Sequence, residues 1–79
     1  MNQIILYTQP DCPPCEIVKL FLQDRNITYI EKNIKKDANA KKELIEKYQS
    51  YSTPTVIVNQ TTITGFNLDA LNTALELEE

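Results

Sequence analysis

Histidine is absent, cysteine occurs twice, glycine once, and no apolar run is long; each shortage removes a class of function. Zinc and iron–sulfur sites usually take four ligands. Cys12 and Cys15 are two, and with no histidine to add, one copy of the chain cannot complete such a site. A metal-binding module would have to be a dimer that shares Cys12 across its interface. The apolar stretch Ile4–Leu6 is far shorter than a signal-peptide core or the roughly 20 residues of a membrane span. No membrane partner is therefore expected, and the expected location is the cytoplasm.

The chain also lacks a basic surplus. Its formal net charge is −3, which argues against nucleic acid, because phosphate binding rests on lysine and arginine. Lysines do crowd the middle of the chain, from Lys32 to Lys47, but Glu31, Asp37, Glu43 and Glu46 are mixed among them. That alternation reads as a solvated helix surface. Hydrophobic residues make up 42% and charged residues 24%, the proportions of an ordinary folded domain rather than a disordered chain. With 79 residues there is room for one domain, spanning 1–79, and for a modest core. No apolar patch that would require a dimer is evident, so a monomer is expected.

Apolar spacing divides the chain into seven segments. Gln3 to Tyr7 holds a continuous apolar run, which suits a strand covered on both faces. Ile17, Val18, Phe21 and Leu22 recur at helical spacing and predict a helix from about Pro13 to Arg25, closed by Asn26 as a left-handed cap. Ile27 to Ile34 reads as a second strand, and Leu44, Ile45 and Tyr48 as the buried face of a second helix. Thr53 to Val58 and Thr61 to Thr64 read as a hairpin turning at Asn59–Gln60, and Leu68, Leu71, Ala74 and Leu75 as one face of a last helix. The order β-α-β-α-β-β-α predicts an α/β fold. A helix joins the first two strands, making them parallel with a right-handed crossover, and the last two are antiparallel. The result is a mixed four-stranded sheet flanked by three helices.

The cysteines lie in "DCPPCE", between the first strand and the first helix. This places Cys12 at the N-cap, with Pro13 and Pro14 in the first turn, where a missing N–H costs least. Cys15 then offers one of the few N–H groups able to point at the Cys12 sulfur. Exposed N–H groups at a helix start favour negative charge, and thiolate is the nucleophilic form of cysteine. Residues at i and i+3 lie within disulfide reach. The pattern predicts a redox pair in which Cys12 attacks and Cys15 resolves. Asp11 and Glu16 oppose the thiolate, and Lys19, one turn beyond Cys15, is the nearest cation to favour it. A C-x-x-C that closes a strand and opens a helix in a βαβ unit is a strong redox signal.

Along essentially its whole length the chain resembles the glutaredoxin branch of the thioredoxin superfamily, through "ILYTQPDCPPC", Lys19, "STPTVIV" and "ITGFNLDAL". The resemblance implies a thioredoxin fold and thiol–disulfide oxidoreductase activity. It implies a cis Pro54 facing the cysteines, with the Thr53 backbone pairing with a substrate and Gly65 and Phe66 completing the rim. It implies no tightly bound cofactor, with glutathione or another thiol as a possible co-substrate. Two departures bear on the branch. Glutathione-using members usually carry a lysine or arginine where Gln9 stands, and a Gly-Gly pair where this chain has Gly65–Phe66. The "TGF" stretch is more similar to the NrdH-type redoxins, whose protein substrate is ribonucleotide reductase and whose donor is thioredoxin reductase. An ordinary glutathione-dependent glutaredoxin, a dimeric metal-binding module and a structural adaptor with no turnover are the alternatives. As a residue, Gly65 also fits a simple turn with positive φ.

Overall fold

The apolar run after residue 3 does form a strand buried on both faces. In the computed structural model, which describes residues 3–77, β1 (Ile4–Thr8) lies inside a sheet of order β2-β1-β3-β4. It is parallel to β2 (Ile30–Asn33) and antiparallel to β3 (Thr55–Val58), which in turn pairs antiparallel with β4 (Thr61–Thr64). The helices are α1 (Pro13–Asp24), α2 (Ala38–Glu46) and α3 (Leu68–Leu77).

Alternation along β1 and β3 separates two cores, because successive side chains leave opposite faces. Ile4, Leu6, Val56 and Val58 meet Val18 and Leu22 of α1 and Leu71, Ala74 and Leu75 of α3. Ile5, Tyr7 and Ile57 meet Ala40 and Leu44 of α2. Every residue of β1 and β3 is therefore buried, whereas the edge strands β2 and β4 are largely exposed. Fully buried leucines such as Leu22 and Leu44 each contribute about 1.5–3 kcal/mol relative to an exposed position.

The helix ends follow local chemistry. Asn26 takes φ 57° after α1, while its N–H reaches the Gln23 carbonyl and the Ile27 N–H reaches that of Leu22. These two bonds are those of a Schellman cap, and Ile27 packs onto the same core as Leu22. This explains one difference from expectation. Ile27 belongs to the cap, so β2 begins three residues later than the apolar letters predict, at Ile30. Asp37 caps α2 by accepting from the N–H groups of Asn39 and Ala40, and Asn67 accepts from Ala70 at the start of α3.

Candidate functional site

The Cys12–Cys15 pair sits where β1 hands over to α1. Asp11 adopts φ 58°, a left-handed conformation that aspartate tolerates better than most residues, and Cys12 then returns to extended backbone as the N-cap. Pro13 and Pro14 occupy the first two helical positions and supply no N–H. The first available donor is the Cys15 N–H, which lies 3.0 Å from the Cys12 carbonyl and 3.3 Å from the Cys12 sulfur. The two cysteines are joined as a disulfide with their Cα atoms 5.3 Å apart. Cys15 is fully buried and Cys12 is partly exposed, so an external thiol or disulfide meets Cys12 alone.

A second donor comes from the far side of the chain. The Thr53 hydroxyl lies 3.7 Å from the Cys12 sulfur. Pro54 follows it, buried and joined to Thr53 by a cis peptide bond. Both residues precede β3, which starts at Thr55 rather than at Thr53. Thr55 turns its hydroxyl inward to the Ser52 carbonyl and to Ser50, which ties down the segment that carries Thr53. Gly65 has φ 73°, and a Cβ built on it would meet nothing within 4 Å. The glycine is thus set by its backbone conformation and not by crowding within the chain. Phe66, next to it, is 49% exposed.

Lys19 is placed differently from a free cation. Its ammonium is 2.9 Å from Glu31 of β2 and 3.0 Å from Glu16, and the Thr8 hydroxyl donates to the same Glu31 oxygen at 2.9 Å. Hydrogen bonds to Glu31 and then Glu16 raise the Lys19 pKa against the opposing effect of burial. Burial pushes the Glu31 carboxyl up, but the bonds from Lys19 and Thr8 outweigh it and hold the group below its ordinary value. The Lys19 charge is therefore largely matched by carboxylates beside the disulfide. Sequence spacing revealed Glu16 but not Glu31 or Thr8, because only the parallel pairing of β1 with β2 brings them to α1; the one polar residue ending the apolar β1, Thr8, was the available sign.

On the opposite face, the fully buried Tyr7 donates its hydroxyl to Glu43, which also accepts from Lys32 at 2.8 Å. This ties β1, β2 and α2 together behind the site. Burial, then the bond to Glu43, raises the Tyr7 pKa, while the Lys32 and Tyr7 bonds hold Glu43 low. Among the described residues no group of three or more histidine, cysteine or acidic side chains could hold a metal ion.

A partly exposed cysteine at a helix start, backed by a buried partner and met by the hydroxyl of a threonine that precedes a cis proline, is an arrangement suited to thiol–disulfide exchange. The family model for glutaredoxin matches residues 4–63. The chain belongs to the glutaredoxin family. This glutaredoxin-family chain is 26% identical over 73 residues to an uncharacterised glutaredoxin-like protein of 8.6 kDa from the rubredoxin operon of Clostridium pasteurianum, spanning 92% of this chain and 97% of that one. Its fold is similar to the crystal structure of the thioredoxin-like protein BC3987, with 49% identity, a TM-score of 0.89, and coverage of 91% and 99% of the two chains. It is also similar to the glutaredoxin-like NrdH-redoxin from Escherichia coli, with 26% identity, a TM-score of 0.78, and coverage of 90% and 92%. The β-α-β-α-β-β-α order with a mixed sheet is the thioredoxin fold of these neighbours.

Proposed function

We propose that this glutaredoxin-family chain is a small dithiol electron carrier of the cytoplasm, which reduces protein disulfides and is itself re-reduced by thioredoxin reductase rather than by glutathione. The unequal exposure of its two cysteines carries the reading: Cys12 alone meets a partner, and Cys15 waits beneath it. The Cys12 thiolate attacks a substrate disulfide, forming a mixed disulfide and releasing one substrate thiolate, which takes up a proton. The Cys15 thiolate then attacks the Cys12 sulfur, closing the internal disulfide and releasing the second substrate thiolate. Two electrons leave the dithiol and reduce one disulfide to two thiols. The Cys15 N–H and the Thr53 hydroxyl are placed to stabilise the Cys12 thiolate.

Gln9 and the Gly65–Phe66 pair support the choice of donor, since neither supplies the charge or the second glycine that glutathione users present. The described similarity of the E. coli NrdH-redoxin to thioredoxin in activity profile points the same way. Ribonucleotide reductase is the protein substrate that this reading implies. The test follows NADPH consumption in two parallel reactions, one with thioredoxin reductase and one with glutathione and glutathione reductase. Turnover confined to the first is expected. Turnover mainly in the second would make the chain a glutathione-dependent glutaredoxin, and turnover in neither would leave the dimeric metal module or the adaptor as the better reading.

A further inference from the structure

Tyr51 contributes no contact to the fold that carries it. Of the four tyrosines, Tyr7 bonds Glu43 and packs against Tyr48, Tyr48 borders the α2 core, and Tyr29 meets Gln23 and the α1 core. Tyr51 is 79% exposed and belongs to neither core. Among the described residues its side chain has no hydrogen bond or ring contact. Its backbone is nevertheless held on both sides. Gln49 takes φ 54° and the Ser50 N–H returns to the Leu44 carbonyl, which ends α2 and fixes the direction in which the chain leaves it. The Thr55 hydroxyl gives its one proton to the Ser52 carbonyl at 2.7 Å, so the buried Ser50 is the donor in the 2.8 Å bond between the two hydroxyls. Ser50 and Ser52, the two neighbours of Tyr51, are thereby tied to a single side chain. An exposed ring on so anchored a backbone loses little freedom when a partner covers it.

We infer that Tyr51 is a contact residue for polypeptide substrates and sets a preference for protein disulfides over small ones. The inference rests on the exchange chemistry proposed above and adds to it a residue that selects the substrate. Single exposed apolar side chains are common. What sets Tyr51 apart is its place on the segment that carries Thr53 to Cys12. It lies two residues before Thr53, whose hydroxyl is 3.7 Å from the Cys12 sulfur. Two residues of chain span at most about 7 Å. A polypeptide joined to Cys12 through its own cysteine extends by about 3.3 Å with each residue, so the residues next to that cysteine come within reach of the ring. A small disulfide ends before it. Tyrosine suits the contact, because its ring offers a large apolar area while its hydroxyl stays hydrated.

The experiment measures the second-order rate at which the reduced protein is oxidised by insulin and by hydroxyethyl disulfide, in the unaltered chain, Tyr51→Ala and Tyr51→Phe. Samples are quenched in acid, alkylated and counted by mass. Loss of an aromatic contact predicts that Tyr51→Ala slows the reaction with insulin about fivefold to tenfold. Its rate with hydroxyethyl disulfide and the ultraviolet absorbance of its thiolate should match those of the unaltered chain. Tyr51→Phe keeps the ring and should keep most of the insulin rate. The side chain belongs to neither core, so neither change disturbs the packing. An unchanged insulin rate in Tyr51→Ala, or a fall that hydroxyethyl disulfide shares, would overturn the inference, while reaction of the unaltered chain with hydroxyethyl disulfide leaves the redoxin reading intact. Failure of the unaltered chain to react with either disulfide would sink that reading, and the inference with it.

Discussion

Replacing Thr53 with valine tests whether the arrangement around Cys12 is built for a thiolate. Valine has the shape of threonine without its hydroxyl, so the change removes one donor from the Cys12 sulfur, leaving the Cys15 N–H at 3.3 Å. A hydrogen bond to a charged group contributes about 1.5–3 kcal/mol. The 3.7 Å separation and the partial exposure of Cys12 call for roughly half of that. A loss of about 0.7–1.4 kcal/mol lowers the thiolate population about threefold to tenfold at a pH where the thiol form predominates. Part of this returns as greater nucleophilicity of the more basic sulfur, with a Brønsted slope of about 0.4–0.5, so the rate with a small disulfide should fall only about twofold to fourfold. The ultraviolet absorbance of the thiolate reads the population directly, and Thr53→Ser should restore it. An unchanged thiolate population in Thr53→Val, or a loss that Thr53→Ser shares, would show that the Thr53 hydroxyl does not stabilise the thiolate.

Stability should fall at both ends of the pH scale. Glu31 and Glu43 are held below their ordinary values, so their contribution is full above about pH 4.3 and is lost as pH falls through the folded-state values. Tyr7 and Lys19 are raised, so theirs is full below about pH 10 and is lost as pH rises. Denaturant midpoints measured against pH should show both limbs, and Glu43→Gln should flatten the acid one; an acid limb of unchanged slope would remove Glu43 from the account. Asp37→Ala removes the cap that serves Asn39 and Ala40, a loss of about 1 kcal/mol that should lower Tm by about 4–8 °C. Calorimetry would check the shift, and disulfide reduction below the new Tm should be unaltered because α2 lies on the sheet face opposite α1.

The order of elements was legible because the two interior strands are written as apolar runs and the helices as spaced stripes. Ile4–Tyr7 suited a strand covered on both sides, as β1 is, and Asn26 marked the end of α1. The position of Cys12 at the helix start followed from the two prolines, as did the N–H of Cys15 on its sulfur. What was not legible came from pairing between elements. Glu31 reads as one more charge in a polar stretch until β2 lies beside β1 and brings it to Lys19 and Thr8. Tyr7 reads as plain packing, and only the docking of α2 gives its hydroxyl to Glu43. Ile27 carries the same apolar letter whether it opens a strand or staples a helix cap; the bond to the Leu22 carbonyl decides for the cap.

In the proposed exchange Cys12 attacks and Cys15 resolves. The most direct measurement exposes Cys15→Ser and Cys12→Ser, each in its reduced form, to a protein disulfide such as that of insulin, and reads the products by mass spectrometry. Cys15→Ser should accumulate a mixed disulfide through Cys12, because its resolving sulfur is gone, while Cys12→Ser should remain unmodified with Cys15 buried. A stable adduct on Cys15 in the second variant, or none on Cys12 in the first, would mean that Cys12 is not the attacking sulfur.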